Sequence, residues 1–429
     1  MSELALFGGK PVRSQPFPAY QSIGAAEKKA VMKVMDDGIL SDFIAAEGPY
    51  FLGGKQVRAF EEAWGDYFGA KHVVSMNSAT SALYAALGAA GVGPGDEVIV
   101  SPYTMVASAT AALVWGGIPV FADIHPETFC LDPKSVRALI TPRTRAIIAV
   151  DIFGHPADFA ALMEIANQHN LVVIEDAAQA PGATLLGRKA GALAHIGVHS
   201  LNYHKHIHTG EGGMALTDDP RLARRLQLIR NHAEVIVTPD DAVGLDNMIG
   251  QNYRMTELQA AIGIEQLKKL PALLAARQQQ ISLLTERLDG NPLISAPTVA
   301  PDAAHAYYVY AMKFKAPENP GLSRETVAKA LAAEGIPLRA GYVKPIYQHP
   351  MYQRRIAFGN SGWPFTLAPQ VSYAQGICPV VERIDNHEIM VIGYVHGQLA
   401  PRDIADIADA FDKVAAHAKK LASLGQAAA

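Results

Sequence analysis

The feature that most limits how this chain can fold is a series of short, almost wholly apolar runs in its first half. Glu97 to Val100, Pro119 to Ala122, Ala146 to Val150 and Leu171 to Ile174 are each shorter than an ordinary helix. None shows the polar alternation of a half-exposed strand. Between them lie stretches with helical character, at Ser78 to Leu87, Val106 to Val114 and Asp158 to His169. The connections are short and rich in turn residues, as in Gly93-Pro94-Gly95. Strand and helix in alternation predict βαβ units. Runs apolar throughout predict a mostly parallel central sheet flanked by helices on both faces. The fold class is therefore α/β.

Further helices are expected at Ala25 to Met35 and Val57 to Tyr67, ahead of the first strand at His72 to Ser75. After Gly213 the pattern turns helical, at Pro220 to Asn231 and at Thr256 to Leu270, the latter continuing past Pro271 to Leu288. Gly290-Asn291-Pro292 is a stop signal. A large α/β domain is thus expected over residues 1–290, with a helical arm in 1–70, and a smaller α+β domain over 291–429. The smaller domain is expected to hold a strand over Tyr307 to Met312, a helix over Arg324 to Glu334 and a final helix near Pro401 to Leu424.

Net charge is −4 and no basic run occurs, which argues against a nucleic-acid partner. Two cysteines, Cys130 and Cys378, make neither a disulfide framework nor a CxxC metal site, as suits a reducing compartment. The first residues lack the apolar core of a signal peptide. The longest apolar stretch, Ala107 to Ala122, is broken by Gly116, Gly117 and Pro119 and falls short of the ~20 residues that span a bilayer. A cytoplasmic protein with no membrane contact is expected.

Three segments carry candidate chemistry. Leu171 to Ile174 ends in Glu175 and Asp176, and ligands of parallel sheets collect beyond the carboxyl ends of strands. Asp176 alone reads equally as a functional carboxylate or as the cap of the next turn. Lys205 lies between two short apolar segments, Ile196 to Leu201 and Met214 to Thr217, and just ahead of Gly210-Glu211-Gly212-Gly213. A lysine held in such a loop can lose its proton readily and form a Schiff base, although an ordinary exposed lysine has the same local sequence. Small polar residues at Asn77-Ser78-Ala79-Thr80-Ser81 stand where a helix begins, which suits either an anion site or a plain N-cap.

The order of these segments is more informative than any one of them. Anion loop, strand-end Asp and then Lys before Gly-Glu-Gly-Gly resembles the pyridoxal-phosphate (PLP) enzymes of the aspartate aminotransferase type I fold. Within them the chain resembles the DegT/StrS sugar aminotransferases. The matching segments are Ala79-Thr80-Ser81-Ala82-Leu83, Ser101-Pro102-Tyr103-Thr104, Glu175-Asp176-Ala177-Ala178-Gln179-Ala180, Ser200 with Lys205 and Gly210 to Gly213, Arg230-Asn231-His232, and Gly250-Gln251-Asn252-Tyr253-Arg254-Met255. The resemblance implies that Lys205 is the catalytic residue and carries pyridoxal 5′-phosphate covalently, as a Schiff base. It implies Asp176 on the pyridine nitrogen, Gln179 on the phenolic oxygen, and Thr80, Ser81 and Ser200 on the phosphate. Asn252 would reach the phosphate of a neighbouring subunit, so a homodimer with composite active sites is implied.

Met105 stands where the family usually places an aromatic over the ring. Relatives that dehydrate sugars have His in place of the lysine, so retention of Lys205 favours amino transfer over dehydration. His206, Tyr342, Lys344 and Tyr347 are candidate substrate contacts. His204, His206 and His208 alternate, but no Cys or carboxylate joins them locally, and no metal is expected. The implied reaction moves an amino group from L-glutamate or L-glutamine to a keto sugar, nucleotide-linked in the first reading. A keto-cyclitol acceptor or an aminobenzoate-type pathway is the second, favoured by Phe7 to Arg13, Gly53-Gly54 and Ile346 to Pro350. A PLP-binding sensor without turnover is a third, and would not need the lysine. The segment Ser41 to Leu52 reads as an insertion, expected as a lid or on the substrate side.

Overall fold

The computed structural model describes residues 2–235 and 248–427. Strands β1 (His72–Met76), β2 (Glu97–Val100), β3 (Ile118–Phe121), β4 (Thr144–Val150) and β5 (Val172–Asp176) come first. A short hairpin, β6 (Thr184–Leu185) and β7 (Arg188–Lys189), precedes β8 (Ile196–Ser200) and β9 (Gly213–Thr217). The central sheet has the order β1-β9-β8-β5-β4-β2-β3. β9 runs antiparallel to both its neighbours, while β8, β5, β4, β2 and β3 pair in parallel.

Helices α1 (Ala25–Asp37) and α2 (Lys55–Phe68) precede the sheet. α3 (Ala79–Ala89), α4 (Ala107–Val114), α5 (Pro133–Ala138) and α6 (Phe159–His169) connect its strands, and α7 (Pro220–Arg230) follows it. β2, β3, β5 and β8 are buried almost throughout, as strands covered on both faces must be. The carboxyl ends of β1, β4, β5 and β8 and the first residue of β9 meet at one edge, because Gly213 pairs with both Met76 and Ser200.

Helix α8 (Glu257–Arg287) starts at a reciprocal cap. Thr256 Oγ1 accepts from the Gln259 amide, and Gln259 Oε1 accepts from the Thr256 amide. It runs unbroken through Pro271. Beyond it lie β10 (Ile294–Ser295), β11 (Ala303–Ala304), which pairs with β6, and β12 (Tyr310–Phe314). α9 (Arg324–Ala333), β13 (Arg339–Ala340), α10 (Pro350–Gln353), α11 (Pro379–Arg383) and β14 (Ile389–Ile392) follow. The second sheet has the antiparallel order β10-β12-β14-β13.

Two expected elements differ. The strand expected from Tyr307 begins only at Tyr310, because Tyr307 has φ 51°, which a strand does not admit. The final helix is two, α12 (Pro401–Ala416) and α13 (Ala418–Ala427), separated at His417.

The second sheet faces two cores, Ala311, Ile389 and Val391 entering the first and Tyr310, Met312 and Met390 the second, and these cores do not divide at residue 290. Leu4, Ile281, Leu284 and Leu288 join Tyr310, Val327, Met390 and Phe411 in the second. Tyr347, Tyr352, Phe365 and Val381 return to the first. The N-terminal arm is fastened at Glu334, which is fully buried. Its Oε1 accepts from the Ala5 amide at 2.8 Å, and its Oε2 accepts from the Val12 amide at 3.0 Å and from Lys413 Nζ at 2.8 Å. Replacing one partner of a buried ion pair leaves the other charge unpaired, at a cost of about 3 kcal/mol or more. Glu334→Gln is therefore expected to lower the melting temperature by several degrees and to open residues 1–20 to limited proteolysis. An unchanged digestion pattern would mean that the arm is held elsewhere.

Candidate active site

A cavity of about 320 Å³ opens where those strand ends meet. The sequence around it explains its shape. Ser78 caps α3, its Oγ accepting from the Ser81 amide at 3.0 Å. The cap leaves the first N–H groups of α3 pointing outward, and Ala79 and Thr80 line the cavity. The turn before them is held from behind. Glu61 accepts from the Ser75 amide and hydroxyl, both at 2.8 Å, and from the buried Arg230 at 2.6 Å. Gly213 lies against the same turn. A Cβ there would meet the Ser78 carbonyl oxygen at 2.3 Å, so only glycine allows β9 to approach.

Asp176 ends β5 and is buried. Its Oδ2 accepts from Ser108 Oγ at 2.7 Å, and its Oδ1 from the Ala178 amide at 3.2 Å. Burial pushes this carboxyl above the usual range, against the pull of Ser108, the Ala178 amide and the nearby Lys205 charge. Lys205 is 8% exposed, and its Nζ lies 4.4 Å from the centroid of the Tyr308 ring. Burial lowers its pKa to about 8, with Asp176 acting in the opposite direction.

Gln179 is oriented by the backbone. Its Oε1 accepts from the Phe153 amide at 2.7 Å, which leaves Nε2 to donate to Tyr342 Oη at 3.2 Å. Phe153 has φ 60°, an uncommon conformation for an aromatic residue. The adjacent Gly154 (φ 99°) has the Tyr307 and Tyr308 amides within 3.0 Å of where a Cβ would stand. Through the Tyr308 amide on the Phe153 carbonyl, at 2.8 Å, this corner holds the ring beneath Lys205.

Thr80, Met105, Asp176, Gln179, Ser200 and Lys205 all line the one cavity. Met105 is 58% exposed at its mouth. The other expected site residues fall elsewhere. Ser81 donates its hydroxyl to Asn77 Oδ1 at 2.6 Å and belongs to the cap. Asn252 is exposed beside the same turn, its carbonyl accepting from Asn77 Nδ2 at 3.4 Å. Tyr342 reaches the cavity only through Gln179 and lines a second, larger one.

Two expected substrate contacts, Tyr347 and His206, are buried and line neither cavity. Tyr347 is wholly buried against Phe121 and donates to Glu382 at 2.5 Å. His206 is buried with Nε2 on the Ala306 carbonyl at 2.8 Å, held neutral by burial and by Arg277. Lys344 is exposed and lines neither cavity. The Ser41 to Leu52 segment also lies away from both, since the carbonyls of Ile44 and Phe51 accept from Asn231 Nδ2. Sequence reading missed Ser108 and Tyr308. Among the described residues no group of three His, Cys, Asp or Glu is placed to hold a metal ion, and no helix is long and apolar enough to cross a membrane.

The donor set matches the three polar ends of pyridoxal phosphate. A buried amine of lowered pKa suits the aldehyde, a buried carboxylate suits a protonated ring nitrogen, and a helix N-terminus with the Thr80 and Ser200 hydroxyls suits the phosphate. A cationic ring nitrogen would supply the counter-charge that a carboxylate as buried as Asp176 requires.

Comparison with known proteins points the same way. Residues 40–392 match the DegT/DnrJ/EryC1/StrS aminotransferase family. The chain is 35% identical to L-glutamine:2-deoxy-scyllo-inosose aminotransferase of Streptomyces kanamyceticus, over 98% of its own length and 99% of that protein. It is 41% identical to GDP-perosamine synthase of Caulobacter vibrioides, over 70% of its length and 78% of that protein. An aminotransferase from Psychrobacter cryohalolentis has the same fold, with a TM-score of 0.80 at 30% identity over 94% of this chain and 100% of that one. With Lys205, Asp176 and the start of α3 gathered at one sheet edge, the chain belongs to the DegT/DnrJ/EryC1/StrS family of PLP-dependent aminotransferases.

Proposed function

We propose that this aminotransferase moves the amino group of L-glutamine, or of L-glutamate, to the ketone of a cyclitol. The observation that carries amino transfer is the buried Lys205 in one cavity with Asp176 and the start of α3. The cyclitol acceptor is supported by the near-complete span shared with the Streptomyces kanamyceticus relative. A nucleotide-linked keto sugar is the second reading, supported by the higher identity to the perosamine synthase over a shorter span.

Bound pyridoxal phosphate supplies an electron sink for charge that develops at the amine-bearing carbon. The chain supplies the rest. Asp176 keeps the ring nitrogen protonated, and Ser108 holds Asp176 in place. With the cofactor bound, Thr80, Ser200 and the first amides of α3 would hold its phosphate and Gln179 would donate to its phenolic oxygen. Met105, at the mouth, would lie beside the ring. Lys205 Nζ would hold the cofactor's aldehyde and serve as the base that takes the proton from the donor carbon. An amine that titrates near 8 is matched to proton transfer close to neutral pH. Asn252, exposed beside the phosphate turn, is assigned to a partner subunit's site, and the active form is a homodimer.

Purified protein is expected to be yellow and to lose its colour on addition of L-glutamine or L-glutamate. Restoration of the colour by 2-deoxy-scyllo-inosose, but not by a GDP-linked keto sugar, supports the cyclitol reading, and the reverse result selects the second. Lys205→Ala should be folded but unable to turn over, with kcat down by about 10³-fold or more.

Cofactor uptake gives a pH test. Only a neutral amine attacks the aldehyde, so the rate at which cofactor-stripped protein takes up pyridoxal phosphate should rise with pH and level off above about 8. A rise continuing toward pH ~10 would mark Lys205 as an ordinary lysine.

Ser108→Ala removes a hydrogen bond to a charged group, a loss of about 1.5–3 kcal/mol. It should lower kcat roughly 10-fold or more and the melting temperature by a few degrees. Unchanged kcat would reduce Ser108 to a space-filling residue.

A further inference from the structure

A second cavity, of about 850 Å³, lies between the N-terminal arm, α8 and the second sheet. It abuts the first. His204 lines both, Tyr342 in its wall is bonded to Gln179, and Tyr308 in its wall lies under Lys205. Its lining includes two arginines, two histidines and five tyrosines, and not one carboxylate.

Arg277 is the feature that requires explanation. It projects from α8 and is 7% exposed. Its Nη1 donates to the Tyr307 and Tyr308 carbonyls at 3.0 and 3.3 Å. Nε and Nη2 have no partner among the described residues, yet neither is sealed away, and the residue lines the cavity. That free edge is the one that grips a carboxylate with two parallel hydrogen bonds. Burial weakens the hold of the guanidinium on its proton, the Tyr20 and Tyr308 hydroxyls act the other way, and no carboxylate is among the groups acting on it. Arg339, on the rim, is likewise without an ion pair among the described residues. A buried guanidinium without a counter-ion is costly, and a built cavity beside it gives an anion a place to offset that cost.

We propose that Arg277, with Arg339 at the rim, binds a carboxylate of the amino donor. This rests on the proposed reaction. A cyclitol brings no anion, whereas glutamine and glutamate both do. Bonds from Arg277 to the Tyr307 and Tyr308 carbonyls also couple donor capture to the ring beneath Lys205. The competing source of an anion is the diphosphate of a nucleotide-linked acceptor.

The test uses the yellow holoenzyme. With wild type, glutarate, a dicarboxylate without an amine, should raise the melting temperature and shift the half-saturating concentration of glutamine upward, and inorganic pyrophosphate should do neither. Arg277→Lys should raise half-saturation by about 10-fold, and Arg277→Gln by about 100-fold, with the colour kept and the rate at saturation changed far less. Unchanged donor dependence in coloured variants would overturn the assignment. So would stabilisation by pyrophosphate in place of glutarate, which would give the site to the acceptor. If the Arg277 variants lose colour, the wild-type glutarate measurement decides, with Arg339→Gln expected to weaken glutarate binding. Failure of glutamine and glutamate to bleach the wild type would instead sink the proposed reaction, whatever glutarate does.

Discussion

A carboxylate buried at the end of a strand is the constraint on which the rest of the site depends. Asp176 sits at the edge of the sheet where apolar strands are covered on both faces, so its charge has little water to rely on. The fold answers with one hydroxyl from α4, one backbone amide and one lysine across the cavity. The same burial lowers the pKa of Lys205 toward neutrality. Neither group would be chemically useful if moved to the surface. Burial beside one cavity perturbs both, in opposite directions.

The contrast with sequence reading is instructive. Asp176, Gln179 and Lys205 are legible from the order of their segments along the chain, since neither Asp176 nor Lys205 stands out by itself. The strands are legible locally, since a buried parallel strand marks itself by lacking polar residues. Ser108 left no such mark. A serine in an alanine-rich helix is indistinguishable from filler until the sheet register brings the end of β5 beneath α4. Tyr308 was read into a strand, and only the positive φ at Tyr307 takes it out of the sheet and under the lysine.

Tyr347 and His206 show what local sequence leaves out. Both are polar-tipped rings in stretches that resemble substrate loops, and both are closed off by residues distant in sequence. Phe121 and Glu382 claim one, and the Ala306 carbonyl claims the other. Burial depends on partners from elsewhere in the chain, and local sequence does not contain them.

The N-terminal arm has a consequence for how such a protein is handled and how it diversifies. Residues 16–20 are part of the wall of the larger cavity, and Tyr20 bonds to the carbonyl of His206, next to Lys205. Glu334 anchors that arm from the opposite side of the second core. Residues 16–20 thus act as masonry, and a fusion tag placed ahead of them would press on the larger cavity. For the same reason, drift at these positions would reshape that wall and leave Lys205 and Asp176 untouched.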